Sequence, residues 1–343
     1  MIERDNIVVD GALHIVEGTG SEYGITLSGR TNVTIKNMTI KAFSGVIWLD
    51  SSSNSTILGN NLTNNENGIR LSNSAGNSIS GNNITNNHNV GIMLSNSAGN
   101  IISGNNITEN KVGAIGFDVY SDNNTISGNN ITKNGHGITL YSSAGNSISE
   151  NSIAANSYYG IELDSSSTNS ISGNNITNNY GAGIALSSSA GNTISGNNIA
   201  KNVRGIGLDS STNNVLSGNN VTNNQYGIEL SMSSNNFICN DSFVNNTNQV
   251  STMFSSGNIW DEGSRGNYWS DYPTKYPNAT GVDSSGVWNT PYVIGANNAD
   301  HYPLMVQYVI PEFPSYQLLL LIIVTTVLAI IISRKKRSRF TLG

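Results

Sequence analysis

One short motif returns along most of this chain at an almost constant interval, and few folds are compatible with that. Gly81-Asn82-Asn83-Ile84-Thr85 recurs at Gly104, Gly128, Gly173, Gly196 and Gly218, with weaker copies beginning at Asn37, Gly59, Glu150 and Asn240. Successive anchors lie 22 to 24 residues apart. A second motif, Gly-Ile-x-Leu, runs in phase from Gly24, Gly68, Gly91, Gly137, Gly160, Gly183, Gly205 and Gly227. A fixed period signals a stack of like units, and this unit is shorter than the roughly 33 residues of a helical hairpin repeat. Inside it the apolar residues alternate, as at Ile79, Ile84, Ile92 and Leu94, in pieces broken by Gly, Asn and Ser. That is strand periodicity. Three short strands and three turns fit one unit, and stacked units place parallel strands about 4.8 Å apart. The pattern predicts an all-β chain, a right-handed parallel β-helix of about 10 to 11 coils and roughly 50 Å in length. Such a coil closes on itself laterally, so only its two ends are edges.

The composition fits this reading. The chain has 56 Asn and 48 Ser, while only 11% of its 343 residues are charged. The asparagines fall at five-residue intervals, as in Asn77, Asn82, Asn87; Asn100, Asn105, Asn110; and Asn124, Asn129, Asn134. That interval puts each at a turn between strands, where Asn accepts left-handed backbone angles. Identical amides on stacked coils can then form ladders. All six prolines follow residue 272, so the preceding stretch contains nothing that interrupts a hydrogen-bonded sheet.

Charge divides the chain further. Arg334, Lys335, Lys336, Arg337 and Arg339 crowd the last ten residues, leaving an acidic remainder. An overall charge of −6 excludes a basic nucleic-acid binder, and one Cys excludes a disulfide framework. Residues 316–333 are 18 in number and almost wholly apolar, just long enough to span a bilayer as one C-terminal helix. The basic cluster that follows puts the tail in the cytoplasm and the β-helix outside. Three segments are expected: a β-helix over 1–250, a Trp-rich cap and stalk over 251–310, and a sorting motif, transmembrane helix and basic tail over 311–343. Trp260, Trp269 and Trp288 are expected to cover the end of the core, since solenoids need caps.

The Asn-x-Ile-x-x-Asn-x-Ile and Gly-Ile-x-Leu pattern resembles the NosD-type, or CASH-domain, right-handed β-helix family, a name standing for carbohydrate-binding and sugar-hydrolysing. The resemblance covers about residues 6 to 305. It includes Asn258-Ile259-Trp260-Asp261, the run Gly266 to Tyr272, Thr290-Pro291-Tyr292 and Asp300-His301-Tyr302-Pro303-Leu304, which look like the closing segment of archaeal surface members. The family spans copper-site maturation proteins, sugar-active enzymes and surface proteins, so the resemblance implies fold far more than activity. Members carry a signal peptide and more chain upstream, which implies a fragment or a misplaced start here. Pro311-Glu312-Phe313-Pro314-Ser315, with the apolar span and basic tail, resembles an archaeal PEF-type sorting signal read by an archaeosortase. The resemblance implies cleavage and re-anchoring; a plain single-pass anchor is the alternative.

Sugar-active β-helices use paired carboxylates on the outer face. In this chain Glu162 and Asp164 stand outward in one coil, as weak catalytic candidates. Asp118 and Asp209 fall at the equivalent position of Asp164 two coils to either side, with Tyr141 between and Tyr159 near. Together these six form a candidate ligand-binding patch for a polysaccharide or glycan of the cell envelope. Gly135-His136-Gly137 resembles a fragment of the polygalacturonase pattern, without that family's Asp-Asp pair. Copper is implied by the NosD name alone, because His14, His88, His136 and His301 lie far apart in coil order; no metal site and no cofactor are expected. Sequons recur at one outward position, making Asn61, Asn83, Asn106, Asn130, Asn175 and Asn220 glycosylation candidates. The leading functional expectation is a surface-anchored structural or carbohydrate-binding rod. The alternative is a lyase, hydrolase or epimerase acting on polysaccharide, and a third reading is copper-site maturation. A carboxylate cluster with a neighbouring Lys or Arg on adjacent coils would favour the enzyme.

Overall fold

The structure is a computed structural model, and it describes residues 1–295 and 298–307. Three parallel sheets form the walls of a solenoid. The first wall holds 11 strands, from Val8–Asp10 through Ser78–Ser80 to Phe237–Cys239. The second holds 12, from Ile15–Glu17 through Asn83–Thr85 to Ser242–Val244, with Tyr268–Trp269 added from the closing segment. The third, built on Gly-Ile-x-Leu, holds 11 strands from Tyr23–Ser28 to Asn248–Met253. There are thus eleven complete coils, at the upper end of the expected number, and a twelfth strand on one wall. Each strand pairs with its counterpart one coil away, so Ile79 stands beside Ile102, Ile84 beside Ile107, and Ile92 between Ile69 and Ile115. These inward columns are essentially inaccessible to solvent and form a continuous core. Stacking like on like packs each methyl group against its own copy, which suits the stiff β-branched Ile side chain.

The asparagines do form ladders, but not by the backbone preference expected of them. Asn77, Asn82 and Asn87 are buried, and none has a positive φ; the left-handed residues are those just before, Gly76, Gly81 and Asn86. The preceding residue makes the bend, and the bend turns the next Asn side chain into the core. Asn82 shows what that side chain then does. Its Oδ1 accepts from the backbone N–H and the amide of Asn60, at 2.9 and 3.0 Å. Its Nδ2 donates to Asn105 Oδ1 at 3.0 Å and to the Ile57 and Ser80 carbonyls at 2.9 and 3.1 Å. Each ladder amide therefore satisfies corner groups on the coils before and after it, which a buried turn requires. A further corner uses serine. Ser74, Ser97, Ser121 and Ser143 are buried, and the backbone N–H of each donates to the hydroxyl of the next. The glycine of Gly-Ile-x-Leu is a packing requirement: a Cβ on Gly183 would come within 2.5 Å of the Ile199 side chain and 2.9 Å of the Gly205 carbonyl.

One ladder ends on an anomaly. After Asn197 and Asn219 the column continues with Asp241, then Asn267. Asp241 Oδ1 accepts both Asn219 donors, at 2.7 and 2.8 Å. Its Oδ2 takes the place of an amide nitrogen and is buried without a hydrogen-bond partner among the described residues. Burial pushes this carboxyl up to about 7.

Beyond it lies an aromatic cap. Trp269 stacks on Phe243 of the last coil at 4.7 Å and on Tyr292 at 4.3 Å, while Trp260 lies 6.0 Å from Trp269. Tyr272, in the single helical turn Tyr272–Lys275, stacks on Trp288 at 4.9 Å. Asp300 pins this assembly by accepting from Asn267 N–H, Trp269 Nε1 and Tyr302 N–H. The expected sorting motif, transmembrane helix and basic tail at 311–343 lie outside the described residues. Among the described residues no helix is long and apolar enough to cross a membrane.

Candidate functional site

Two walls repeat almost monotonously on their outer faces, and the third does not. Outward positions of the third wall run Thr26, Trp48, Arg70, Met93, Gly116, Thr139, Glu162, Ala185, Gly207, Glu229 and Ser251 in one register column. The column two residues on carries Tyr141, Asp164, Ser187, Asp209, Ser231 and Met253. Tall side chains at Glu162 and Glu229 flank the small Ala185 and Gly207, and the gap is a groove of about 400 Å³. Its lining includes Tyr159, Glu162, Arg204, Asp209, Glu229 and Met253.

The expected patch is therefore partly assembled and partly divided. Tyr159, Glu162 and Asp209 share the groove. Asp164 is the direct neighbour of Tyr141 on one side and Ser187 on the other, one column over. Asp118 belongs to a separate depression of about 290 Å³ with Arg70, Met93 and Val112.

Two contacts were not assigned from the sequence. Arg204 reaches across Gly207, and its Nη1 lies 3.2 Å from Glu229 Oε2, one coil on. His136 Nδ1 lies 3.2 Å from Glu162 Oε2, off the line of a hydrogen bond. The imidazole is held by Tyr158, stacked at 4.8 Å, and by Tyr159, edge-on at 5.8 Å. The register of Gly-Ile-x-Leu placed Glu162 outward, but His136 opens the preceding coil's strand, and only the packed aromatic pair brings its ring to Glu162.

The sequon asparagines form a second ladder on the outside of the second wall. Asn83 donates to Asn61 at 2.8 Å, Asn106 to Asn83 at 2.7 Å and Asn130 to Asn106 at 2.8 Å. Ser152 interrupts the row, which resumes with Asn198 donating to Asn175 and Asn220 to Asn198. Among the described residues, Asn61 and Asn175 begin their rows with the amide nitrogen undonated.

A copper site does not fit these residues. His88 Nδ1 is 3.1 Å from Lys111 Nζ, His301 is paired with Asp261, and His14 sits at the opposite end of the rod with Nδ1 3.0 Å from the Gly11 carbonyl. Burial pushes the Cys239 thiol up to about 12, and it lies apart from the histidines. Among the described residues no three His, Cys, Asp or Glu side chains gather as metal donors.

Comparison with known proteins gives the architecture a name. Residues 23–151 match the right handed beta helix region family, and residues 114–274 match the family described as periplasmic copper-binding protein (NosD). No curated protein sequence matches the chain. A double mutant of the periplasmic alginate epimerase AlgG superposes with a TM-score of 0.54 at 17% identity, covering 72% of this chain and 78% of that one. The A-module of the Azotobacter vinelandii mannuronan C-5 epimerase AlgE4 superposes with a TM-score of 0.56 at 14% identity, covering 72% and 76%. DFA-IIIase from Arthrobacter chlorophenolicus A6, in complex with GF2, gives 0.54 at 11% identity, covering 69% and 82%. At such identities the likeness is one of fold. Family matches and coil geometry agree on the architecture: the chain is a parallel β-helix, similar over residues 23–151 to the right handed beta helix region family and over residues 114–274 to the NosD family.

Proposed function

We propose that this protein is a surface-anchored β-helix that binds a glycan of the cell envelope in the groove of its third wall. The observation that carries this is the groove itself. It interrupts the one wall with varied outward residues, and it sets carboxylates and a guanidinium around a floor of Ala185 and Gly207 beside the Tyr159 ring. Carboxylates and guanidinium groups bond hydroxyls, and aromatic faces receive the apolar faces of sugar rings. Fold neighbours named as alginate epimerases support the reading. Anchoring rests on the apolar run at 316–333 and the basic tail behind it. We assign the archaeal PEF-type signal to 311–315, with an archaeosortase as processing partner, and place the β-helix outside the cell. The three segments 1–250, 251–310 and 311–343 then serve as binding rod, cap and anchor. A glycan array run beside a polysaccharide-degradation assay tests the function: Glu162→Ala with Asp164→Ala should abolish binding, and unchanged binding discards the site.

A second reading, a polysaccharide lyase, hydrolase or epimerase, is favoured by the contact of His136 with Glu162 and by Arg204 two coils away. An imidazole beside a carboxylate can exchange a proton with substrate, and a guanidinium can stabilise developing negative charge. Product formation by the wild-type protein, lost in His136→Ala with glycan binding retained, would establish it.

A further inference from the structure

We infer that the groove between Glu162 and Glu229 selects a glycan bearing protonated amino groups, laid along the rod axis; the inference rests on the carbohydrate reading above and specifies its ligand. Three features of the third wall point the same way. The first is charge. Glu162, Asp209 and Glu229 line the groove, and Asp164 stands in the same column as Asp209, two coils before it. Arg204 is the one cation among the lining residues, and Glu229 already holds it at 3.2 Å. A polyuronate carries a carboxylate on every sugar and would meet like charge along this surface, whereas an ammonium group would find carboxylates on both sides. Complementary potential of this kind decides which partner is admitted.

The second feature is period. Asp164 and Asp209 stand two coils apart in one outward column, with Tyr141 before them and Ser187 between. Two coils span roughly 10 Å, close to the two-sugar repeat of an extended β-1,4-linked chain. A chain lying along the axis would present the same face of alternate sugars to each carboxylate in turn. The third is a pair of rings, Tyr141 exposed in that column and Tyr159 half-buried at the groove edge, on which sugars can stack.

The test is calorimetric titration at low ionic strength, at a pH where sugar amines are protonated. The probes are β-1,4-linked glucosamine oligomers, their N-acetylated counterparts, mannuronate oligomers of equal length, and oligolysine. The glucosamine oligomer should bind about tenfold tighter than the acetylated form, and the uronate most weakly. Glu162→Gln with Asp209→Asn should weaken glucosamine binding by about tenfold. Asp50→Asn, in the same outward column but near the first coils, should leave it unchanged. Equal binding of free and acetylated amines, tighter binding of the uronate, or oligolysine matching the glucosamine oligomer would overturn the inference. In the first two cases the carbohydrate reading survives; failure of every oligosaccharide to bind removes both.

Discussion

The second and third walls of this rod are made by the same chain at the same period, yet they are built to different rules. On the second wall Asn-Ile-Thr repeats with little change, and its outward asparagines bond to one another. On the third wall the inward positions stay Ile and Leu apart from Phe117 and the last coil's Val250 and Thr252, while the outward partners vary from Gly to Trp. The difference teaches that the coil is specified from inside. Ladder amides, inward Ile and Leu and the close-packed glycines fix the backbone, which leaves the outer face of one wall free to carry chemistry. Stability and function are then separable by substitution, and each prediction below probes that separation.

The largest effect should come from a ladder amide. Asn129→Ala removes the acceptor for both donors of Asn105 and leaves the Ile102 and Ser127 carbonyls without their partner. Several buried polar groups lose their bonds at once, so the loss should be on the order of 3 kcal/mol, read as a fall in the guanidinium midpoint.

The next concerns the one ladder position that is not an amide. Asp241 ionises near 3.8 in the unfolded chain and near 7 in the folded one. Its contribution to stability is therefore complete below the unfolded value. It declines by about 1.4 kcal/mol per pH unit as pH rises toward 7, and is then fully lost. Asp241→Asn restores the donor that the column calls for. It should raise stability at neutral pH and flatten the profile between pH 4 and 7, as followed by denaturation at several pH values. Asp300, pushed up to about 6 by burial although three N–H groups favour its charged form, contributes a loss of the same sign over the narrower window between its unfolded value and about 6, and so a smaller total.

Smaller still is the cost of changing the groove. Glu162→Gln and Arg204→Ala should alter stability by no more than about 0.5 kcal/mol, because neither side chain supports a ladder. A large stability loss would show that the third wall is structural after all. The smallest effect is confined to the outer Asn row. Coils are only about 4.8 Å apart, and most sequon amides there already donate to a neighbour. If the chain is glycosylated, intact glycopeptide mapping should find sugar at Asn61 and Asn175 ahead of Asn83, Asn106, Asn130 and Asn220.

Much of this was legible in the sequence, for a physical reason. A parallel β-helix repeats its environment every coil, so period, inward columns and outward columns can all be read from spacing. The outward placement of Glu162, Asp164 and Asp209 followed from that register. The backbone role of the asparagines was misread, because Gly81 or Asn86 bends the chain while the next Asn merely turns inward. The serine ladder keeps the same 22 to 24 residue period, as at Ser74, Ser97, Ser121 and Ser143, but it is hidden among the many other serines of the strands and turns. His136 and Arg204 were also hard to place: their reach depends on ring packing and on the bare Gly207, which are contacts between coils and not features of a single repeat.

The division between a structural frame and a binding wall is tested most directly by one paired measurement. Glycan binding and thermal stability would be followed together for Glu162→Gln with Asp209→Asn on the third wall, and for Thr132→Ala on the second. The account predicts that the third-wall variant loses binding while unfolding at the wild-type temperature, and that the second-wall variant keeps binding. Binding that persists in the first variant, or vanishes in the second, would contradict it.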